Sequence, residues 1–236
     1  MAKVLRRPGL TDSALIRLLA RLTDIDVPES KRDFSDRLSQ WFSWTDAISL
    51  SAALNGPVSA ATAVARASAN AEEAECARVR AGLVSAIAEV GGTPAGTDFA
   101  PHRQRYIARQ QAMEMAIGRL RDRLRARLAA SADPDVARLA SLDVVMEQVL
   151  GAQEQRLLAT VPTLLQKHFK RLRAAHEAQV ADALALQGEE SDGGVQPAAV
   201  WLDVFGKDMQ GVLLAELDLR FQPVEGLLEA LRARQK

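Results

Sequence analysis

The residues best suited to ligate a metal or attack a substrate are three histidines, His102, His168 and His176, and one cysteine, Cys76. His176-Glu177 begins like the helix of a zinc protease, which needs a second histidine four residues on so that both rings reach one ion. That position is Val180. His168 precedes His176 by two helical turns, about 12 Å, too far for both to hold one metal. With His102 distant and no cysteine pair, the histidines read as surface or packing residues, and no metal or cofactor is expected. Cys76 lies at helical spacing from Val79 and Leu83, which makes it a buried, inert thiol. Ser43, Ser49 and Ser51 have no histidine near them in sequence and no nucleophile-elbow motif around them. Gly91, Gly92 and Gly96 lead to Thr97-Asp98-Phe99, not to the Lys-Ser or Lys-Thr of a phosphate-binding loop. No catalytic residue is assigned. Scattered carboxylates leave an enzyme with an unrecognised acid pair as the third reading.

Arginine is the other conspicuous chemistry. In the run Arg119 to Arg127, Leu120, Leu124 and Leu128 form one helical stripe. Arg119, Arg123 and Arg127 flank it on one side, and Arg121 and Arg125 on the other. Arginines bracketing an apolar seam suit pairing with a helix that carries acids at its own flanks. A nucleic-acid surface would set its arginines away from the seam, with exposed aromatics to stack bases. Lys167, Lys170, Arg171 and Arg173 form a second basic run of the same mixed character. The acids expected opposite these runs are Asp203, Asp208, Glu216 and Asp218.

Charge distribution favours that pairing. The 236 residues carry no net charge, but residues 1–98 hold 11 basic and 12 acidic side chains, 99–175 hold 14 and 7, and 176–236 hold 5 and 11. A basic middle followed by an acidic end admits two readings, pairing within the chain or contact with a charged partner.

The elements that must position these residues are helices. Hydrophobic residues make up 48% but aromatics only 4%, so the apolar surface is mainly Ala, Leu and Val, which suits packed helices better than sheets. Thr11 or Ser13 caps a helix bearing Leu15, Ile16, Leu18, Leu19 and Leu22, and Asp24 through Pro28 ends it. Ser30 opens a longer helix running to Asn55-Gly56-Pro57, with Phe34, Leu38, Trp41, Thr45, Ile48 and Trp44 forming a core stripe. Residues 57–69 read as an Ala-rich linker. A helix from Asn70 carries Cys76, Val79, Leu83 and Ile87, and the loop 91–101 follows.

From Pro101 to Ser131, Tyr106, Met113, Ile117, Leu120, Leu124 and Leu128 recur at near-heptad spacing. Asp133-Pro134 restarts the chain as a cap followed by a proline at the first helical position. The next stripe is Val136, Leu139, Leu142, Met146, Val149, Leu157 and Val161. Pro162 kinks or divides that helix, and Leu165, Phe169 and Leu172 carry it on. After an acidic glycine-rich loop at 188–194, two terminal helices are expected, about 198–219 and 224–234, separated at Pro223. Nothing reads as a strand. The expected fold is all-α: an elongated bundle with an N-terminal helical region over 1–90, a long antiparallel helical hairpin over 98–187, and C-terminal helices over 197–236 packed on it.

The N-terminal third carries a resemblance. Gly9-Leu10-Thr11, Leu22-Thr23-Asp24, Val27-Pro28-Glu29-Ser30, Arg37-Leu38-Ser39-Gln40-Trp41 and Trp44-Thr45-Asp46-Ala47-Ile48-Ser49-Leu50 resemble a bacterial family catalogued as domain of unknown function 3348. The likeness continues through Glu73-Ala74-Glu75-Cys76-Ala77-Arg78-Val79-Arg80 and, in layout, over most of the chain. It implies a cytoplasmic protein of a Gram-negative bacterium. Neighbouring genes in that family, of the OmpA-like, motor-stator kind, imply an accessory to a membrane-associated complex. It supplies no activity and no catalytic residue.

A lone cysteine gives no sign of an oxidising compartment, and no run of about eighteen apolar residues spans a membrane. The expectation is therefore a cytoplasmic, non-enzymatic protein that binds other helices, in a second copy of itself or in another protein. The alternative is a nucleic-acid-associated protein using the two basic runs.

Overall fold

The computed structural model describes residues 13–24, 39–56, 69–89, 98–187 and 198–233. Among these residues there are a helical end at 39–41, seven further α-helices and no strand: α1 (Ala14–Thr23), α2 (Trp44–Asn55), α3 (Ala69–Ala88), α4 (Ala100–Ala129), α5 (Pro134–Leu158), α6 (Val161–Gln187) and α7 (Ala198–Ala233). Residues 57–68, 90–97 and 188–197 lie outside the described residues, as do Thr11, Ser30, Phe34 and Leu38; of the expected linker at 57–69 and loop at 91–101, Ala69 opens α3 and Ala100 and Pro101 open α4.

The centre of the bundle is α7, which packs against α1, α3, α4, α5 and α6 and meets α4 most extensively. Its buried residues run Trp201, Phe205, Met209, Val212, Leu213, Leu217, Phe221, Val224, Leu228 and Leu231, a three-and-four spacing that holds one face inward over the whole helix. On α4 the near-heptad stripe is buried throughout: Tyr106, Met113, Ile117, Leu120, Leu124 and Leu128. Each fully buried Leu there contributes about 1.5–3 kcal/mol of transfer free energy. Cys76 and Ile87 of α3 are buried, with Val79 and Leu83 packed against the same core, and Leu15 and Leu22 of α1 join it. The core thus draws on residues from 15 to 231 as one cluster.

Helix ends follow local chemistry. Asp24 ends α1 in the left-handed region at φ 54°, a conformation that Asp tolerates better than most residues, and its N–H bonds to the Ala20 carbonyl. Asp133 caps α5 by accepting from the Asp135 N–H at 2.9 Å, with Pro134 in the first turn. Pro162 divides two helices: α5 stops at Leu158 and Pro162 falls in the first turn of α6, where its missing N–H has no partner to lose.

Four features differ from the sequence reading. First, no continuous helix crosses residue 43. Residues 39–41 are helical, and Ser43 then starts α2 afresh through a capping box, its hydroxyl accepting from the Asp46 N–H and its own N–H donating to the Asp46 carboxylate at 2.8 Å. The restart turns Asp46, Leu50 and Ala53 toward the protein and leaves Trp44 81% and Ile48 54% exposed, so these two are not core residues. Thr45 is exposed as well.

Second, the buried row of α5 is Ala137, Ala140, Val145, Val149 and Leu158, whereas Leu139 and Leu157 face outward, Leu157 at 65% exposure. Because α5 is touched by α2, α4 and α7, no single leucine stripe serves all three contacts, and alanines take the closest approaches. Third, α7 continues through Pro223. Proline costs a helix interior roughly 3 kcal/mol, and burial of Phe221, Val224, Leu227 and Leu228 on either side outweighs it. Fourth, the second arm of the expected hairpin, divided at Pro162 as one of the two outcomes expected there, packs extensively on α4 only through α5.

Candidate functional site

The arginine seam is built into the core of the bundle. Leu120 and Leu124 are buried, and the arginines beside them pair with acids on two neighbouring helices. On one flank, Arg123 Nε lies 2.6 Å and Arg127 Nε 3.0 Å from the carboxylate of Glu72 on α3, itself buried. On the other flank, Arg121 grips Asp143 of α5 with two bonds, 2.7 and 2.8 Å, and reaches Glu147 at 3.1 Å. Arg125 adds bonds of 2.7 Å to each of the same two acids. Burial pushes the Asp143 carboxyl up, but the guanidinium groups of Arg121 and Arg125 outweigh it and hold the group below the usual carboxylate range. Burial likewise opposes the charge on Arg125, and the hydrogen bonds to Glu147 and Asp143 more than restore it. Arg119 is exposed.

The acids facing the seam are therefore Glu72, Asp143 and Glu147, in place of the expected Asp203, Asp208, Glu216 and Asp218. The reason is axial position. Glu216 of α7 meets α4 at Tyr106 and Gln110, and the arginine run starts nine residues beyond Gln110, about 13 Å further along the helix. Asp208 pairs with His168, Asp218 pairs with Arg80, and Asp203 is exposed. Of the second basic run, Lys167 and Lys170 are exposed and Arg173 pairs with Glu177 at 2.7 Å. Arg171 donates to the Leu22 carbonyl at 2.8 Å, tying α6 to the end of α1.

A second polar centre lies between α4, α5 and α7. The Glu216 side chain is 0% exposed and accepts from the Tyr106 hydroxyl at 2.5 Å, from Gln110 at 3.0 Å and from Arg220 at 2.9 Å. Arg220 also faces Glu154 of α5 at 3.6 Å. Burial pushes the Tyr106 hydroxyl far above its ordinary value, with the Glu216 charge acting in the same direction. Burial also raises the Glu154 carboxyl, only partly offset by Arg220.

Sequence reasoning placed the arginines beside the seam but missed the acids opposite them, and it named Glu216 without its partners Tyr106, Gln110 and Arg220. One signal was available: Arg121 and Arg125 repeat at four residues, and so do Asp143 and Glu147, the match expected of two helices that exchange ion pairs. Tyr106, the sole tyrosine, sits on a core stripe with a hydroxyl that burial obliges to find a partner.

The three histidines, read as surface or packing residues, all line one aromatic cluster. His102 lies edge-on to Phe205 with centroids 5.1 Å apart, His168 is 6.1 Å from Phe205, and His176 is 6.3 Å from Trp201. His102 is 2% exposed, and neither ring nitrogen has a hydrogen-bond partner among the described residues. Burial drives its pKa below the ordinary value, so the ring is neutral. His168 Nε2 meets Asp208 at 2.8 Å while Nδ1 faces Arg171 at 3.3 Å.

Among the described residues no cluster of three His, Cys, Asp or Glu side chains is placed to hold a metal, and no helix is long and apolar enough to cross a membrane. A groove of about 620 Å³ lies between α3 and α7, floored by Cys76, Ala77 and Phe221 and edged by Arg80, Glu225 and Arg232. The Cys76 thiol there is pushed up by burial and by Glu72, which keeps it protonated and a poor nucleophile.

Among the described large apolar side chains, Trp44 of α2 is the most exposed. The α2 helix has no buried residue, and its only charge, Asp46, is occupied in the cap. At 100° per residue Trp44, Ile48, Ser51, Ala52 and Asn55 fall together, opposite the side formed by Asp46, Leu50 and Ala53.

These features define an all-α bundle whose buried carboxylates Glu72 and Glu216 are paired and whose α2 helix presents a neutral outward face. The chain belongs to the family described as protein of unknown function (DUF3348), whose model matches residues 1–233. No curated protein and no solved structure matches it.

Proposed function

We propose that this protein works by binding, in the cytoplasm and without catalysis, and that the outward face of α2 is where it meets the helix it binds. The supporting observation is Trp44, 81% exposed on a helix with no buried residue. Trp is the residue most enriched at binding hot spots, and leaving one in water on a neutral helix forgoes most of what its burial is worth. Pairing of the arginine flanks with Glu72, Asp143 and Glu147 moves the interaction surface away from the seam that the sequence suggested. The same pairing weakens the nucleic-acid reading, since those guanidinium groups already have carboxylate partners.

The test is capture of the tagged protein from its native cells after nuclease treatment, wild type beside Trp44→Ser. A protein partner, this chain included, held by the wild type and lost from the variant supports the reading. Recovery that is unchanged by Trp44→Ser, or that consists of nucleic acid and falls steeply with salt, overturns it.

A further inference from the structure

Resting on the reading of α2 as a binding face, the geometry points to a second copy of the same helix as its occupant, and we infer a two-fold, antiparallel α2–α2 contact. Three observations converge on that partner.

The first is the order of side chains along the face. Large residues, Trp44 and Ile48, occupy its N-terminal half, and small or short ones, Ser51, Ala52 and Asn55, its C-terminal half. Antiparallel pairing about the helix centre sets Ile48 over Ser51 and Ala52 of the other copy, and Trp44 over Asn55. Large against small is how facing helices interdigitate. Parallel pairing would stack Trp on Trp and leave Ser51 and Ala52 facing a gap.

The second is polar complementarity. The Asn55 amide nitrogen is already donating to the Ser51 carbonyl at 3.1 Å, which leaves its oxygen as an acceptor. The Trp44 indole N–H is a donor in search of one, and antiparallel pairing brings the two groups to the same level.

The third is charge. The face carries no ionised group, so two copies approach without repulsion. The last turn of α2 has no basic residue to balance the negative end of its dipole. In an antiparallel pair, the positive N-terminus of one helix supplies that balance to the other.

Size sets the strength. Covering two Trp44 and two Ile48 side chains removes on the order of 600 Å² from water, below the roughly 1,200 Å² of a stable specific interface. The dimer is therefore weak and concentration-dependent.

The experiment is sedimentation of the full chain from about 1 to 500 µM, joined to oxidative cross-linking of two variants. Position 51 lies close to the two-fold axis, with its mate offset by about 4.5 Å along the helices, whereas position 55 and its mate are offset by about 16 Å. Ser51→Cys should cross-link between copies and Asn55→Cys should not; wild type, whose one thiol is buried, is the blank. Ile48→Lys should weaken association at least tenfold with its helical circular dichroism unchanged, and Ile48→Ala combined with Ala52→Ile should recover it. Cross-linking through both positions would overturn the antiparallel arrangement. A chain that stays monomeric at 500 µM overturns the second copy as partner. If Trp44→Ser still releases a different captured protein, the binding role of α2 survives that loss; if it releases nothing, both readings fall.

Discussion

Replacing Glu216 by alanine should cost this protein 3–5 kcal/mol, the range expected when one partner of a buried pair is removed. The carboxylate is wholly buried and accepts from three side chains at 2.5 to 3.0 Å. Without it, Gln110 keeps the Leu158 carbonyl at 3.3 Å, but the Tyr106 hydroxyl has no partner and Arg220 is left with Glu154 alone at 3.6 Å. An unmade buried hydroxyl bond costs about 1–3 kcal/mol, and a guanidinium stripped of its close counter-ion accounts for the rest. For a chain of this size each kcal/mol moves the melting midpoint by about 2–4 °C, so the expected drop is roughly 6–20 °C by calorimetry. Glu216→Gln keeps an acceptor for Tyr106 and should fall about halfway. Glu216→Leu with Arg220→Met removes both charges and should recover the guanidinium's share of the loss, leaving only the cost of the unpaired Tyr106 hydroxyl. A loss under about 1 kcal/mol for Glu216→Ala, or no recovery in the double variant, would refute this account of the network.

Other expectations follow from the same geometry. His102 is held neutral by burial, so the unfolded chain takes up its proton first as pH falls; stability should be full above the ordinary histidine range near pH 6.5 and decline below it. Urea midpoints measured from pH 7.5 to 5 should show that decline in the wild type and a shallower one in His102→Phe. Glu154 runs the other way: its carboxyl is raised by burial, so its charge is a penalty above the usual carboxylate range that vanishes in acid. Glu154→Gln should therefore stabilise the protein at pH 7 and not at pH 3.5, read by denaturant titration. Pro223→Ala restores a hydrogen-bond donor inside α7 and should raise stability by roughly 1–3 kcal/mol; a fall would show that the helix is shaped around the proline.

Where a helix packs along one face, the sequence displayed that face plainly. The α4 stripe from Tyr106 to Leu128 is buried as its spacing requires, and on α3 Cys76 and Ile87 are buried with Val79 and Leu83 half-buried between them. The punctuation at Asp133-Pro134 and Pro162 was equally legible, because caps and prolines act within one turn. What stayed hidden depends on neighbours. Trp44 and Ile48 occupy positions that would line a core, and only the restart at Ser43 turns them outward. Helix α5 touches three others, so its buried row of alanines and valines has no single dominant period. The arginines announced that they flank a seam, but periodicity reports a residue's own face and never which helix lies across from it. Pro223 was a stop by local rules and became an interior residue because buried turns on both sides hold the helix together.

The placement of α7 has a consequence for how the protein is made. Its 36 residues, about 54 Å of helix, follow in the chain every helix they pack against. At 5–20 residues per second, a ribosome takes roughly 10–40 s to pass from α1 to the start of α7, and through that time the apolar stripes of α1, α3, α4 and α6 lack their main cover. The nascent chain is then a natural client for chaperones. A premature stop anywhere before α7 would leave several exposed stripes, which makes truncated products prone to aggregation and degradation.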